Sequence, residues 1–428
     1  MELSIIIPTL NEAANLRLLL PKIHQATARL LKDREYEVLI LDAGSEDDIQ
    51  EVAKTFGATL VHVPRGYGRA LQKGFELARG TYIITMDADL SHSPHIIPQL
   101  YSYRHEAELI IASRYVKSGY ASTKRMRTFL SHTLNFIYGI VFDLNVRDMS
   151  SGFRLYHKRI FQEIQAEKVN FVALLELLLK TYLAGFRIRE IPFHYHPRQL
   201  GGSKARVLKF GVEYLGFLWE GRKLRNSLDC ADYEERCFSS RNPLRGPRHR
   251  KRYQILLSMA REYEKILTLG CGSSQILDGL PQAVGCDLAL PKLRYKRAPF
   301  RSLVRGDVRR LPFKSHIYDA AIFVEPLQNL QDDTQALDEI IRVVRPGGMI
   351  LIAPWVERFP PLLSRLLHPA GYSIGKKSRQ IYASLEQIME TRNCLFVERC
   401  DVGGGETVLR FQKQSLASVS DNKREYKE

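Results

Sequence analysis

Residues 81–89, Thr81-Tyr82-Ile83-Ile84-Thr85-Met86-Asp87-Ala88-Asp89, join an apolar run directly to two carboxylates one residue apart. The run is rich in β-branched and aromatic side chains, which is typical of a buried strand. The two acids then follow the carboxyl end of that strand, where ligands of open α/β sheets bind. Hard carboxylate oxygens suit Mg²⁺ or Mn²⁺. We therefore predict a divalent-metal site at Asp87 and Asp89, within reach of a diphosphate.

The same alternation of strand-like and helix-like segments surrounds this stretch. Apolar runs at 4–10, 36–44, 58–64, 80–89 and 107–115 predict strands, and 12–31, 47–56 and 68–78 predict the helices between them. Such a βαβ series favours a mostly parallel sheet with helices on both faces. A second series begins at residue 253 with its own motifs. We expect a two-domain α/β protein, divided into residues 1–225, a basic linker or arm at 226–252, residues 253–415, and a disordered tail at 416–428.

Charge and composition narrow the possible partners and compartments. The net charge of +16 indicates attraction to phosphates, anionic lipid or nucleic acid. Six cysteines without metal-site spacing predict free thiols in a reducing compartment. The first residues are typical of a strand and not of a signal peptide. No run is long and apolar enough to predict a transmembrane helix. Residues 128–146 and 207–219 have basic edges and fit either interfacial membrane helices or core helices.

Three strand-loop motifs in order, IIIPTLNE at 5–12, LDAGSEDD at 41–48 and MDADLSHSP at 86–94, resemble family 2 glycosyltransferases of the GT-A fold. Dolichol-phosphate mannosyltransferases and related polyprenyl-phosphate sugar synthases are the most similar members. The resemblance covers about residues 1–225. It implies a GT-A nucleotide-sugar-binding α/β fold with Asp87 and Asp89 as the metal ligands.

The resemblance also implies roles for residues outside the acidic pair. Asp42 would accept hydrogen bonds from the base, although Ala43 replaces the second acid of the family motif. Asp89, Arg114, Arg127 and Ser131 would act in catalysis, the last two by holding an acceptor phosphate. The expected substrate- and nucleotide-binding residues are Pro8, Thr9, Asn11, Glu12, Asp42, Asp87, Ala88, Arg154, Glu176 and Lys204.

The second series contains the motif Ile266-Leu267-Thr268-Leu269-Gly270-Cys271-Gly272-Ser273, which resembles motif I of class I S-adenosylmethionine-dependent methyltransferases. The resemblance implies a Rossmann-like fold and a cofactor site formed by Gly270, Gly272, Asp287, Asp307 and Val308. Thr268 stands where relatives often have an acid, and residues 325–328 offer no obvious methyl-transfer base. A methyltransferase-like domain without catalytic activity is therefore an alternative, and an NAD-binding fold fits less well.

These features together predict an inverting, metal-dependent transferase of a hexose. The expected donor is GDP-mannose and the expected acceptor is polyprenyl or dolichyl phosphate. An anionic acceptor needs no strong general base. We expect a peripheral protein on the cytoplasmic face of an anionic membrane surface, whose second domain methylates the sugar or a linked glycan.

One alternative acceptor is a hydroxyl group of a glycan or small molecule, with Glu176 or Asp148 as the general base. A different hypothesis, explained by the positive net charge, is an RNA-modifying methyltransferase. The sequence contains no RNA-binding motif with stacking aromatics, so we expect no nucleic-acid partner.

Overall fold

The computed structural model describes residues 1–31, 35–121, 125–196, 207–242, 246–299, 301–324, 334–354, 374–403 and 406–415. The chain forms two compact units, Met1–Cys230 and Ala231–Glu428. Each unit is an α/β fold that contains a seven-stranded sheet. The two-domain α/β architecture predicted from the sequence is confirmed.

The strands of the first unit are β1 Leu3–Thr9, β2 Tyr36–Asp42, β3 Thr59–His62, β4 Tyr82–Thr85, β5 Leu109–Ser113, β6 Tyr120–Ala121, β7 Arg154–His157, β8 Ile188–Pro192 and β9 His194–Tyr195. The main sheet has the order β3-β2-β1-β4-β7-β5-β8, and β6 pairs with β9 in a separate ribbon. Strand β7 is antiparallel to both of its neighbours, whereas the other pairs of the main sheet are parallel. The expected sheet is thus mostly parallel, with one reversed strand inserted near its centre.

The helices of the first unit are α1 Ala13–Ala28, α2 Ile49–Thr55, α3 Tyr67–Leu77, α4 Ile97–Ser102, α5 Arg125–Phe142, α6 Ile160–Glu163, α7 Val172–Leu183 and α8 Val207–Arg225. Alternate residues of β1 belong to different cores, because successive side chains of a strand point to opposite faces. Ile5 and Ile7 belong to one apolar cluster, and Ile6 belongs to the other. The sheet is therefore covered by apolar side chains on both faces, as a buried parallel sheet requires.

The strand register brings three predicted site loops to one edge. Thr9 is paired with Asp42, and Ile6 is paired with Thr85. The three strands are parallel, so their carboxyl ends share one edge of the sheet. The loops that begin after Thr9, Asp42 and Thr85 therefore lie side by side.

The strands of the second unit are β10 Ile266–Leu269, β11 Val284–Asp287, β12 Leu303–Arg305, β13 Tyr318–Phe323, β14 Val344–Ile352, β15 Cys394–Gly403 and β16 Glu406–Lys413. Their order is β12-β11-β10-β13-β14-β16-β15, with β16 antiparallel to both neighbours. The helices are α9 Tyr233–Ser239, α10 Gly246–Ala260, α11 Ile276–Gly279, α12 Leu290–Lys296, α13 Thr334–Val343 and α14 Ile374–Glu390.

The segment predicted as a linker, 226–252, contains α9 and the start of α10, both in the second unit. Arg252 of this segment is buried and lies 3.5 Å from the buried carboxylate of Glu406. Residues 416–428, predicted as a disordered tail, lie outside the described residues.

Within the described part of the chain, no helix combines the length and apolarity needed to cross a bilayer. All six cysteines are free, and five of them are buried.

Candidate functional site

The acidic pair lies in the turn that follows β4. The backbone N–H of Asp87 donates to His92 Nδ1 over 2.9 Å, and His92 Nε2 lies 3.6 Å from Asp87 Oδ2. Asp89 Oδ1 accepts bonds from the backbone N–H and the hydroxyl of Ser91, at 3.1 and 2.5 Å. His92 is itself buried and stacks on Phe153 with ring centroids 5.0 Å apart. The turn is therefore fixed by its own downstream residues, and both carboxylates are held near one another.

A tyrosine and a glycine complete the surroundings of Asp87. The Tyr67 hydroxyl is hydrogen-bonded to Asp87, and burial together with the charge of Asp87 raises the pKa of Tyr67 well above its usual value. A Cβ placed on Gly152 would lie 2.7 Å from the Tyr67 hydroxyl and 3.5 Å from Asp87 Oδ1. Sequence reasoning missed both Tyr67 and His92. His92 could have been found because it lies in the MDADLSHSP motif with the two acids. Tyr67 lies between two glycines, Gly66 and Gly68, at the start of α3.

The pair of acids has the chemistry of a divalent-cation site. Burial raises the pKa of Asp87, and the charge of Asp89 adds to this effect, against opposing contributions from His92 and Arg114. The Asp87 side chain nevertheless keeps 36% of its surface accessible. Among the described residues, no group of three or more His, Cys, Asp or Glu side chains is arranged to hold a metal. Two repelling carboxylates fit a cation whose remaining ligands come from a diphosphate and water.

The loops predicted to bind the nucleotide are joined to each other. The Asn11 backbone, at a φ of +52°, donates to Ser45 Oγ over 2.7 Å, and Asn11 Oδ1 accepts from the Glu46 N–H over 2.9 Å. Thr9 is buried, and its hydroxyl donates to Leu41 O over 3.3 Å. Glu12 is buried and accepts a bond of 2.6 Å from Asn15. Pro8 keeps intermediate exposure and Ala88 is buried. The first and second loops thus form one rigid rim.

Asp42 lies in the same rim, but its carboxylate serves its own turn. Asp42 Oδ2 accepts from the N–H groups of Gly44 and Ser45 at 3.2 and 3.0 Å, and Oδ1 accepts from the Ser45 hydroxyl. His62 Nδ1 lies 3.4 Å from Asp42 Oδ2. Only 1% of the Asp42 surface is exposed. The observed contacts therefore make Asp42 an anchor of the loop, and base recognition by this side chain stays a prediction.

Arg114 is held rigidly beside the acidic pair. Its Nε and Nη2 donate to the two carboxylate oxygens of Asp148 at 2.8 and 2.7 Å, and Nη2 also donates to Ser150 Oγ over 2.8 Å. The guanidinium carbon lies 5.0 and 5.6 Å from the ring centroids of Tyr115 and Tyr195. Its charge opposes the rise in the pKa of Asp87 that burial causes. Arg114 is therefore a fixed positive charge next to the predicted metal site.

The acceptor side of the site is described in part. The Tyr115 hydroxyl donates to Ser131 Oγ over 2.8 Å, which links Ser131 to the loop that carries Arg114. Arg127 lies on α5, four residues before Ser131, and its side chain lies outside the described residues, as does Lys204. Asn135 donates to Ser131 O and accepts from the Met149 N–H. Helix α5, which carries the residues predicted to hold the acceptor phosphate, is thus hydrogen-bonded to the loop that contains Arg114.

Two residues predicted to bind substrate are buried among backbone atoms. Arg154 is 0% exposed, and its guanidinium donates to the carbonyl oxygens of Ser151, Leu174 and Met149 at 2.7, 2.7 and 2.6 Å. Glu176 is 1% exposed, accepts two backbone N–H bonds from residues 167 and 168, and pairs with Lys180 at 2.8 Å. These contacts make both residues supports of the scaffold, so substrate contact by either one stays a prediction.

Two of the predicted cofactor residues of the second unit, Gly270 and Gly272, form a turn after β10. Gly270 and Gly272 have φ values of +59° and +50°. Asp287 accepts from the N–H groups of Gly272 and Ala289 at 2.7 and 2.8 Å, and burial raises its pKa. Asp307 binds Arg309. Val308 packs against the apolar core. Asp287 thus anchors the glycine turn through the Gly272 N–H, and cofactor binding by these residues stays a prediction.

The basic segment 291–310 contains eight Lys and Arg, and half of them form ion pairs within the second unit. Ion pairs at 2.5–3.3 Å join acids to four of these residues, namely Lys292, Lys296, Arg301 and Arg309. Much of its charge is thus already neutralised by carboxylates of the same unit.

Comparison with known proteins agrees with the two motifs. A model described as glycosyl transferase family 2 matches residues 4–165, and a model described as a methyltransferase domain matches residues 267–352. A polyprenol monophosphomannose synthase of Mycolicibacterium smegmatis is 30% identical over 47% of this chain and 79% of that protein. An undecaprenyl-phosphate mannosyltransferase of Micrococcus luteus is 30% identical over 52% of this chain and 98% of that protein. A dolichol-phosphate mannosyltransferase of Pyrococcus furiosus is 29% identical over 54% of this chain, and the match spans 66% of that protein.

One similar solved structure is glucosyl-3-phosphoglycerate synthase of Mycobacterium tuberculosis in complex with Mn²⁺, uridine diphosphate and glucosyl-3-phosphoglycerate. It is 18% identical to this chain, and the match has a TM-score of 0.40 and covers 52% of this chain and 79% of that one. The same enzyme with Mg²⁺ and uridine diphosphate has a TM-score of 0.41 at 18% identity, again over 52% of this chain and 79% of that one.

Proposed function

Since the chain belongs to glycosyltransferase family 2 and also carries a methyltransferase domain, we propose that its first unit transfers a hexose from a nucleoside-diphosphate sugar to a polyprenyl phosphate. The observation that carries the proposal is the Asp87 and Asp89 pair at the carboxyl edge of the sheet, with the Arg114 guanidinium fixed beside it. The names of the relatives, which are prenyl-phosphate mannosyltransferases, support mannose as the sugar. We propose GDP-mannose as its donor.

Asp87 and Asp89 are the residues that would hold Mg²⁺ or Mn²⁺. Such an ion stabilises the negative charge that develops on a departing nucleoside diphosphate. The protein contributes rigidity to this site through His92, Ser91 and Tyr67. A preorganised site of this kind needs little rearrangement during the reaction.

Arg114 supplies a second, permanent positive charge. Because Asp148 fixes the guanidinium through two parallel hydrogen bonds, the charge is held in one place and not on a mobile side chain. We assign it to the phosphates of the donor or the acceptor. Ser131, which is linked to the same loop through Tyr115, is assigned to the acceptor phosphate together with Arg127.

The pairing of the candidate bases supports an anionic acceptor. A hydroxyl acceptor needs a general base, and the two candidates were Glu176 and Asp148. Both are almost fully buried and bound to cations and N–H groups. A phosphate oxygen is already anionic and needs no such base. Direct displacement by that oxygen inverts the configuration at the sugar carbon.

An exposed apolar face on α5 and α8 supports binding to a membrane surface. Phe136 and Ile140 are 69% and 65% exposed, and Leu215 and Trp219 are 58% and 80% exposed. Each pair is four residues apart, so each lies on one helical face. The two helices pack on each other, with the Tyr138 hydroxyl bonded to Tyr214 O over 2.6 Å.

Two exposed basic residues, Arg222 and Lys223, follow Trp219 on α8. An apolar face with a basic edge fits an anionic bilayer surface. We place the protein peripherally on the cytoplasmic face of a membrane. Its methyltransferase domain is proposed to use S-adenosylmethionine on the transferred sugar or a linked glycan.

A panel of donors and acceptors tests the proposal. The protein is incubated with GDP-mannose, UDP-glucose or other nucleotide sugars, and with a short polyprenyl phosphate or the matching prenol, and the products are weighed by mass spectrometry. We expect one hexose added to the prenyl phosphate and none to the prenol. Equal reaction of the prenol would contradict the phosphate acceptor.

A further inference from the structure

The glycine turn of the second unit already holds a carboxylate, which comes from α9 of the same unit. The backbone N–H and the hydroxyl of Ser273 donate to Glu234 Oε2 at 3.0 and 2.7 Å, and the Glu234 N–H donates to Ser273 Oγ at 3.1 Å. The Glu234 side chain is 22% exposed. Both the backbone and the side chain of Glu234 therefore join α9 to the turn.

A lysine completes this carboxylate site. Lys292, on α12, places its ammonium 2.5 Å from Glu234 Oε1, and its side chain is 14% exposed. One N–H, one O–H and one ammonium thus converge on the two oxygens of Glu234. Charge-assisted bonds of this kind are shorter and stronger than neutral ones. The three groups form a site that suits the carboxylate of an amino acid.

Glu234 fills the space above Gly272. A Cβ placed on Gly272 would lie 2.6 Å from the carboxyl carbon of Glu234 and 2.7 and 2.9 Å from its oxygens. A glycine at such a turn normally lets a ligand approach the backbone. Here the Glu234 carboxylate makes that approach. The turn as it stands does not fit S-adenosylmethionine and Glu234 at the same time.

The strand before the turn offers no compensating acid. Thr268, on the strand before the turn, is fully buried. Its hydroxyl is among the buried side-chain atoms that have no hydrogen-bond partner within the described part of the chain. Two acids are hydrogen-bonded to the glycine turn: Asp287 accepts from the Gly272 N–H, and Glu234 accepts from Ser273.

We propose that Glu234 is an internal competitor for the cofactor pocket of the second unit. A ligand with an amino-acid carboxylate, such as S-adenosylmethionine, binds at Ser273 and Lys292 only after Glu234 has left them. Only molecules in which Glu234 has left Ser273 and Lys292 can bind such a ligand. The apparent affinity is therefore the intrinsic affinity multiplied by the fraction of those molecules. This inference is independent of sugar transfer by the first unit.

Glu235 provides a matched control on the same helix. It pairs with Lys296 of α12 at 3.2 Å, just as Glu234 pairs with Lys292. Glu235 has no hydrogen bond to the glycine turn among those the structure describes. Loss of Glu235 thus removes an ion pair between α9 and α12 but leaves the carboxylate at the turn.

The experiment measures S-adenosylmethionine binding to the full chain by isothermal titration calorimetry. We compare wild type with Glu234→Ala, Glu234→Gln and Glu235→Ala. We expect Glu234→Ala to lower the Kd by roughly tenfold or more, which corresponds to about 1.4 kcal/mol. Glu234→Gln loses the charge but keeps an acceptor, so a smaller gain is expected. Glu235→Ala is expected to bind like wild type, and thermal unfolding checks that each variant is folded.

A second probe separates the carboxylate from the nucleoside. 5′-Methylthioadenosine lacks the amino-acid carboxylate, so its Kd should improve less than that of S-adenosylmethionine when Glu234 is replaced. Weaker or unchanged binding of S-adenosylmethionine to a folded Glu234→Ala protein would overturn the proposal. So would equal gains in Glu234→Ala and Glu235→Ala, or the absence of binding to every variant, because opening the pocket must reveal affinity.

Discussion

Replacing Asp148 by alanine tests the rigid placement of Arg114. Asp148 is 0% exposed and Arg114 is 17% exposed. The carboxylate accepts three bonds from Arg114, from its N–H, Nε and Nη2 at 2.9, 2.8 and 2.7 Å. Removing one partner of a buried pair leaves the other charge uncompensated and costs about 3–5 kcal/mol. Because Arg114 keeps some contact with water, we expect about 3 kcal/mol, near the lower limit of that range.

Differential scanning calorimetry of the full chain measures the effect on the transition of the first unit. For a domain of this size, such a loss lowers Tm by about 6–12 °C. The control is Glu76→Ala, which removes an exposed pair at 3.0 Å to Lys73. Its expected effect is within about 0.5 kcal/mol. A change in Asp148→Ala no larger than that of the control would refute the argument.

The pH dependence of this difference has a definite sign. Burial alone would raise the pKa of Asp148, but the charge and hydrogen bonds of Arg114 outweigh it, and the pKa lies below its ordinary value of 3.8. Stability from a lowered pKa is present above the unfolded pKa and is lost as pH falls through the folded one. The gap between wild type and Asp148→Ala should therefore be constant above about pH 5 and shrink below about pH 4. A gap that shrinks at alkaline pH instead would contradict the assignment.

Three further substitutions separate the active site, the scaffold and the membrane face. Gly152→Ala should lower kcat/KM for sugar transfer by about tenfold or more, because its Cβ would lie 2.7 Å from the Tyr67 hydroxyl. Steady-state kinetics measure this change. A variant with the same kcat/KM as wild type would show that Tyr67 does not position Asp87. Arg154→Met should destabilise the first unit by about 3 kcal/mol or more in urea unfolding without changing the donor KM; a raised KM would instead place Arg154 against the substrate. Trp219→Glu should reduce sedimentation with anionic vesicles while stability stays within about 0.5 kcal/mol of wild type; unchanged sedimentation would remove this face from the membrane proposal.

The sequence predicted the strands well because their burial depends on a local pattern. Tyr82–Thr85 is buried throughout, as its apolar run indicated. Strand β7 was not predicted as a strand, and its place between β4 and β5 depends on pairing with segments distant along the chain. The basic residues in 226–252 favoured a linker or an anion-binding arm. Arg252, however, is buried against Glu406, which lies more than a hundred residues later, and no local pattern reveals such a pair.

The site was predictable where one short motif supplies it. Asp87 and Asp89 lie in the same turn because only Ala88 separates them in sequence. Arg154 and Glu176 were assigned to substrate by motif, but most of their hydrogen-bond partners are carbonyl and N–H groups of the backbone. Every residue carries such groups, so the sequence cannot show which of them a buried side chain will bind. The contact between Glu234 and the glycine turn was missed for a related reason, since α9 precedes that turn by more than thirty residues.

Transfer of radiolabelled mannose from GDP-mannose to polyprenyl phosphate by Asp89→Ala tests the central claim most directly. The assay compares this variant with wild type in the presence of Mg²⁺ or Mn²⁺, and with wild type in excess chelator. Loss of a metal-binding carboxylate should reduce transfer by about a hundredfold or more, and chelation of wild type should do the same. A folded Asp89→Ala protein that transfers mannose at the wild-type rate would contradict the assignment of the acidic pair.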